Sequence, residues 1–219
     1  MTQFDLSQLN LGAGTHSISV KARAVGYITS DPSSAKNFYV YSVTGDATNA
    51  TIDGASEYSS TVAKGKSKTI VLSALSGYRL PASIKVNGTS CSSGSTVNGC
   101  RYTRISETAG SVIIESGSQN IALIVEAIPM TYTVKGVATN VLINGQSGYN
   151  STVTMGDSLT LALTAESGHT IPQTITVNGK TCQAGTTVDG AKFTRMSSSM
   201  GSIYISSAAM NYIFSIVGN

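Results

Sequence analysis

The side chains with chemical potential are few and scattered along the chain. The sequence contains three cysteines and two histidines, which are Cys91, Cys100, Cys182, His16 and His169. A zinc site needs four such ligands at short, regular spacings, and these five residues do not provide that pattern. Neither histidine lies in a nucleophile motif or a metalloprotease motif, and no phosphate-binding or dinucleotide-binding glycine pattern occurs. We therefore expect no metal, no cofactor and no catalytic residue.

Cys91 and Cys100 are the one pair whose spacing suggests a covalent link. They flank an Asn-Gly turn, and cysteines that face each other across adjacent strands can come within bonding distance. Later in the chain Cys182 corresponds to Cys91, whereas Ala191 corresponds to Cys100. Two alternatives stay open: a disulfide between Cys91 and Cys100, or free and partly buried thiols.

The charged residues give no enzymatic pattern either. The 11 carboxylates are spread along the chain, and no pair of them marks the two facing acids that a glycosidase needs. Lys64, Lys66 and Lys68 alternate, so they would project from one face of a strand. They suit the protection of an edge strand, and contact with a polyanion is the alternative. The sequence thus predicts a protein that is not an enzyme.

The elements that carry these residues are duplicated. The segment 84–91, IKVNGTSC, returns as residues 175–182, ITVNGKTC. With a shift of about 91 positions, residues 41–128 align without a gap to residues 132–219, and about 38 of the 88 pairs are identical. The sequence therefore predicts an N-terminal segment, 1–40, followed by two copies of one module, 41–129 and 130–219.

Asn-Gly and Asp-Gly pairs divide both copies at matching places. These dipeptides tolerate positive φ at both central positions of a tight turn, so they favour β-hairpins. In the first copy they start at Asp53, Asn87 and Asn98, and in the second at Asn144, Asn178 and Asp189. Between them lie short runs of alternating apolar and polar residues, and no amphipathic helical stretch interrupts them. This pattern predicts an all-β fold of two tandem Ig-like β-sandwich repeats. Repeats of the β-grasp type are the alternative, and they would require a helix.

The N-terminal segment is predicted to form a hairpin. Residues 16–25 alternate between apolar and polar, which is typical of a half-buried strand, and residues 35–43 form a second such run. An isolated hairpin is only marginally stable in water. We therefore expect it to dock onto the first repeat, a sister chain or another protein through Ile18, Val20, Tyr39 and Tyr41.

The low charge and the lack of long apolar runs argue against two classes of partner, nucleic acid and the membrane interior. Only 11% of the residues are charged, and the net charge of +3 is spread out, so nucleic acid is not an expected partner. No apolar run reaches the roughly 18 residues that a membrane span needs, and membrane insertion is not expected. The first residues show no basic head and apolar core of a secretory signal. We expect a chain that stays in the cytoplasm, assembles into a particle there, or was trimmed.

Two stretches resemble known families. The segment GTHSISVKARAVGY, followed by SAKNF, resembles the closing strands of a fibronectin type III-like domain. The repeat pattern Y-x-V-x-G, then SGY-x-L-P-x-x-I-x-V-N-G, is similar to repeat modules of structural proteins from phages of Gram-positive gut bacteria. The resemblance implies Ig-like modules on a virion, as a head fibre, a decoration protein or a tail appendage. It also implies contacts with other virion proteins or sister chains, a homo-oligomer, and adhesion to a host glycan or receptor. Similar modules occur in bacterial surface proteins, so a fragment of a cell-surface or secreted adhesin is the alternative.

Overall fold

The computed structural model describes Leu9 and residues 11–219 of the chain. Every regular element of four or more residues in that part is a β-strand, and it contains no α-helix, so the all-β prediction is confirmed. Within the same residues there is consequently no helix of the length and apolarity needed to cross a membrane. The rest of the predicted 1–40 segment, residues 1–8 and residue 10, lies outside the described residues.

The chain divides into two compact units, with the boundary between Ile128 and Pro129. The strands of unit 1 are β1 Gly14–Ile18, β2 Lys36–Thr48, β3 Ala50–Ile52, β4 Glu57–Ala63, β5 Lys68–Ala74, β6 Tyr78–Arg79, β7 Ser83–Val86, β8 Thr89–Ser92, β9 Thr96–Val97, β10 Cys100–Arg104, β11 Ala109–Ile114 and β12 Ile121–Glu126. A short strand, β13 Ile128–Pro129, spans the boundary. The strands of unit 2 are β14 Thr131–Thr139, β15 Val141–Ile143, β16 Gly148–Thr154, β17 Leu159–Ala165, β18 Thr174–Val177, β19 Lys180–Gln183, β20 Thr187–Val188, β21 Ala191–Arg195, β22 Met200–Ile205 and β23 Tyr212–Val217.

The two units have the same sheet topology. In unit 1 the first sheet has the order β4-β2-β12-β7-β8, with β1 paired to the beginning of β2, and the second sheet has the order β3-β5-β11-β10-β9. Unit 2 repeats this as β16-β14-β23-β18-β19 and β15-β17-β22-β21-β20. In both units the first long strand and the last strand, β2 with β12 and β14 with β23, pair in parallel. The other strand pairs described in these sheets are antiparallel, as hairpin connections require.

One hydrophobic core lies in each unit and draws on both of its sheets. In unit 2, for example, Val177 and Phe214 of the first sheet and Leu161 and Ile203 of the second belong to one cluster of buried side chains. The unit 1 cluster is built in the same way. Buried and exposed residues alternate along strands such as β12 and β23, because successive side chains of a strand point to opposite faces. The fold is therefore consistent with the β-sandwich class.

The turns adopt the backbone conformation that the sequence predicts. All six Asn-Gly and Asp-Gly pairs have positive φ at both residues, from 47° at Asp53 to 89° at Gly54. Mirror-image turns of this kind match the twist of the flanking strands. The same three turns thus set the strand register in both units.

The asparagine side chains of one turn also reach a neighbouring strand. Asn87 Oδ1 accepts a hydrogen bond from the backbone N–H of Ala122 at 2.7 Å. Asn178 Oδ1 accepts the equivalent bond from Ile213 at 2.8 Å. The Asn87 side chain connects the β7–β8 turn to β12, and the Asn178 side chain connects the β18–β19 turn to β23. Each adds a hydrogen bond between the turn and the last strand of its unit, beyond the end of the backbone ladder.

The predicted strand over residues 16–25 is shorter in the structure, because β1 ends at Ile18. Beyond it, serine hydroxyls take part in the pairing: Ser33 Oγ accepts from Val20 N and Ser30 Oγ accepts from Ala22 N. Side-chain bonds of this type compete with a regular ladder. The second predicted strand is found as β2, which runs further than expected, to Thr48.

Candidate functional site

The N-terminal hairpin consists of β1, the first part of β2 and the connection between them. Gly14 lies opposite Val40, and Ile18 lies opposite Lys36, in an antiparallel register. The hairpin continues past β1 through two backbone bonds, from Ser30 N to Ala22 O and from Ser33 N to Val20 O. It therefore extends past the end of the sheet as an arm made of two antiparallel segments of the same chain.

The four residues predicted to dock lie in different environments. Ile18 is half-buried in β1, and Val20 is exposed just beyond that strand. Tyr39 is exposed on β2, and the ammonium of Lys64 lies 5.3 Å from the centre of its ring, which is a cation–π contact. Tyr41 is half-buried and packs against the unit 1 core. The structure thus leaves Val20 and Tyr39 most available to a partner.

The most exposed apolar side chains are ones that sequence reasoning did not single out. Val25, Tyr27 and Ile28, which we call the apolar tip, have relative exposures of 102%, 79% and 96%. They lie in the connection of the hairpin, where no strand buries either face. Val25 ends the strand predicted over residues 16–25, and Tyr27 and Ile28 follow it. The available signal was three large apolar residues within four positions where that strand ends, because the segments that follow a strand normally carry polar residues.

The cysteines of unit 1 are buried thiols. Cys91 lies in β8 and Cys100 in β10, so they belong to different sheets and do not lie on adjacent strands. The Cys91 thiol lies 3.4 Å from the carbonyl oxygen of Ser95 and 3.7 Å from that of Cys100. Burial, with smaller contributions from Cys91 and Glu115, raises the pKa of the Cys100 thiol to about 11. Because the thiolate is the reactive form, Cys100 is a poor nucleophile at neutral pH. The predicted disulfide stays a prediction.

Possible metal ligands are dispersed among the described residues. In the part of the chain that the structure describes, no group of three His, Cys, Asp or Glu side chains is placed to hold a metal ion. His16 stacks on Phe38 at 5.5 Å and hydrogen-bonds the carbonyl of Gly12, while His169 is exposed in unit 2. The prediction that Lys64, Lys66 and Lys68 project from one strand face is wrong, because β4 ends at Ala63 and β5 begins only at Lys68. Lys68 reaches the hydroxyl of Ser60 at 2.5 Å. These contacts support the hairpin and the edge of the sheet.

A shallow cleft lies on the outer face of the first sheet of unit 1. Its volume is about 300 Å³, and it is formed by β7, β8, the end of β12 and the residues around them. Ile124, Ile128 and Pro81 give it an apolar floor, and Lys85 and Glu126 bring one charge of each sign. We call this the unit 1 cleft. Its outward-facing residues come from strands that are far apart in the sequence, so the sequence alone did not reveal it.

Comparison with known proteins gives no relative on which to base an assignment. No protein-family model and no curated protein matches this chain. The apolar tip and the unit 1 cleft are therefore the features from which function has to be argued.

Proposed function

We propose that this protein is a non-enzymatic structural and display protein of a virion. In this proposal the N-terminal hairpin docks to sister chains or to other virion proteins. The two β-sandwich modules, of the Ig-like kind, then project from the particle as a head fibre, decoration or tail appendage. The observation that carries the proposal is the apolar tip of the hairpin.

Three large apolar side chains that are almost fully solvated are unfavourable in an isolated protein. Burial of apolar surface gains roughly 25 cal/mol per Å², so the tip gains free energy when a partner covers it. Exposed apolar patches on soluble proteins mark interaction sites for this reason. The tip also lies on an arm beyond the sheet, where a partner can reach it without disturbing either core.

The modules suit a scaffold. The same sheet order is built twice, and each copy is closed by turns whose conformation is fixed by Asn, Asp and Gly. Burial raises the pKa of the Cys100 thiol to about 11, which makes that thiol less reactive at neutral pH. Each β-sandwich presents loops at its ends, and such loops suit contact with a host glycan or surface receptor.

The test is the location of the full chain in assembled particles. Particles purified from cells that produce the chain are labelled with an antibody against an exposed loop of unit 2 and examined by electron microscopy. The proposal expects labelled particles, and expects labelling to be lost when the tip is changed to Val25→Ser, Tyr27→Ser and Ile28→Ser. Val217→Ser, which removes an exposed apolar side chain of unit 2, is the matched control. Wild-type chain that is found only outside particles would contradict the proposal. Chain that is anchored in the cell envelope would support the adhesin alternative.

A further inference from the structure

The unit 1 cleft contains a cation and an anion for which no ionic partner is found among the described residues. Among the described residues the ion pairs of unit 1 join Arg79 and Arg104 to Glu107, and Arg101 to Glu115. Lys85 and Glu126 take part in none of them, and no side-chain hydrogen bond of either residue is found in that part of the chain. Both side chains are exposed beside an apolar floor. The cleft therefore suits an occupant with apolar side chains and charges of both signs.

Unit 2 does not reproduce these charges. At the positions that match Lys85, Ile124 and Glu126, the second copy has Thr176, Ser215 and Val217. The backbone is the same in both units, since β18 and β23 pair in the same order as β7 and β12. The cleft chemistry is thus an addition to unit 1, and the module does not need it in order to fold.

The hairpin carries the complementary set of side chains. The apolar tip is preceded by Arg23 and followed by Asp31. Both charged side chains are exposed, and no ion pair of either is found among the described residues. The apolar cluster thus has the cations Lys21 and Arg23 before it and the anion Asp31 after it, and it matches the unit 1 cleft in apolar character and in offering charges of both signs.

The hairpin of a chain cannot fill the cleft of the same chain. Strand β12 runs parallel to β2, and Glu126 lies beside Thr48, at the far end of β2 from the hairpin. Lys36, where the arm leaves the sheet, is about 40 Å of extended strand from Thr48. The connection with the apolar tip continues away from that end. Contact between tip and cleft therefore needs two chains.

We propose that the apolar tip of one copy of this chain occupies the unit 1 cleft of a second copy. Val25, Tyr27 and Ile28 cover the apolar floor, Arg23 faces Glu126, and Asp31 faces Lys85. This inference rests on the docking role proposed above for the hairpin, and it names the partner and the surface. The contact is head-to-tail, because the two surfaces differ. Such contacts continue into a ring when the rotation closes and into a filament when it does not.

Charge reversal tests the contact. The full chain is followed by sedimentation velocity over a concentration series. The wild type is expected to grow in mass with concentration. Arg23→Glu and Glu126→Arg, each alone, are expected to weaken self-association about tenfold, because each places like charges together. The double variant restores an opposite-charge pair, and its association is expected to return to within about threefold of the wild type. Val217→Arg, the matched position of unit 2, is the control and is expected to change nothing.

The outcomes separate this inference from the docking proposal. The triple serine substitution of the tip could abolish self-association while the effects of Arg23→Glu and Glu126→Arg simply add in the double variant. In that case the hairpin docks, but not in the cleft. If the wild type stays monomeric throughout, the cleft contact is wrong, and incorporation into particles still decides the docking role. Restoration by the double variant supports both. Circular dichroism of each variant shows whether the fold is kept, and these exposed positions are expected to preserve it.

Discussion

The two units of this protein share a backbone plan and differ in the side chains that fill it. Gly45 and Gly136 occupy the same place, where a Cβ would come within about 2.6 Å and 2.5 Å of the Cδ1 atoms of Ile52 and Ile143. At both sites an added Cβ would push against the far end of the matching isoleucine side chain, so the two copies are packed alike there. The shared positions are thus the turns and close approaches that the fold needs.

The core shows how the copies diverge without changing shape. Unit 1 has Ile121 and Leu123 where unit 2 has the larger Tyr212 and Phe214, whose rings stack 6.0 Å apart. Nearby, Cys100 of unit 1 is replaced by the smaller Ala191. The hydroxyl of Tyr212 lies 3.4 Å from where a Cβ on Gly190 would be, so the ring reaches towards this space. Larger residues on one strand are offset by a smaller residue on another, as close packing requires.

The largest expected effect concerns the aromatic core of unit 2. Phe214→Ala removes a fully buried ring and its stacking contact with Tyr212. We expect a loss of about 3–5 kcal/mol in the unfolding free energy of unit 2. The measurement is urea denaturation with peptide-resolved hydrogen exchange, which separates the two units. Ile213→Ala, at the exposed neighbouring position, should cost much less. Equal losses for both variants would show that the ring does not support the core.

A smaller effect is expected at a matched pair of glycines. In Gly110→Ala and Gly201→Ala the new methyl group would lie 2.9 Å from the carbonyl oxygens of Thr103 and Thr194, and backbone atoms cannot move aside cheaply. We expect each variant to lose about 1–3 kcal/mol, by similar amounts in the two units. Gly148→Ala is the control, because nothing lies within 4 Å of its added Cβ. A loss in only one unit would mean that the copies are not packed alike at this point. Thermal unfolding of each variant provides the comparison.

The third effect distinguishes the units at one core position. Tyr102 is buried, and its hydroxyl donates a hydrogen bond to the carbonyl of Pro81 at 2.8 Å. Unit 2 has Phe193 there, which has no hydroxyl to donate to the carbonyl of the matching Pro172. Tyr102→Phe should therefore cost unit 1 about 1 kcal/mol, since the carbonyl of Pro81 loses its donor. Tyr204→Phe, at an exposed tyrosine, should be neutral in the same denaturation experiment. An unchanged stability for Tyr102→Phe would remove this difference between the units.

Much of this comparison follows from the sequence. The six turns were predictable, because the tolerance of positive φ is a local property of Asn, Asp and Gly. The strands around them were predictable from apolar alternation. The parallel pairing of β2 with β12 was not, because a period-two pattern is the same for either direction of the partner strand. The early end of β1 depends on serine hydroxyls that replace ladder partners.

The candidate site was only partly predictable. The hairpin follows from two alternating runs with a loop between them, and Val20 and Tyr39, which were predicted to dock, lie exposed on it. The apolar tip was missed because Val25 was assigned to the end of the predicted strand, and because Tyr27 and Ile28 follow it in a stretch without a periodicity from which burial can be judged. The unit 1 cleft combines Lys85, Ile124 and Glu126, whose proximity depends on the order of strands in the sheet.

The smallest expected effect is a difference in acid sensitivity. Lys180 Nζ lies 2.7 Å from Asp189 Oδ1, and this hydrogen bond, together with one from Asn178, lowers the pKa of the Asp189 carboxyl. The folded state therefore favours the carboxylate. The resulting stabilisation is present at pH values above the pKa of the unfolded chain and is lost as the pH falls through the lower, folded pKa. Unit 1 has Asn98 at this position, which does not titrate.

Thermal unfolding between pH 6 and pH 2, resolved by unit, measures this difference. Asp189→Asn should flatten the dependence of the unit 2 unfolding temperature on pH. Asp157→Asn, at another acid of the same unit, is the control, and its unfolding temperature should depend on pH more steeply than that of Asp189→Asn. If Asp189→Asn leaves the acid dependence unchanged, the ion pair does not contribute to the stability of unit 2.

The central claim is that unit 1 alone carries the surfaces for association, through the hairpin and the cleft. Hydrogen–deuterium exchange of the full chain at low and high protein concentration tests it most directly. The account predicts concentration-dependent protection in residues 19–35 and in residues 81–90 and 122–128, with no change in residues 131–217. Protection confined to unit 2, or no dependence on concentration in any segment, would contradict it.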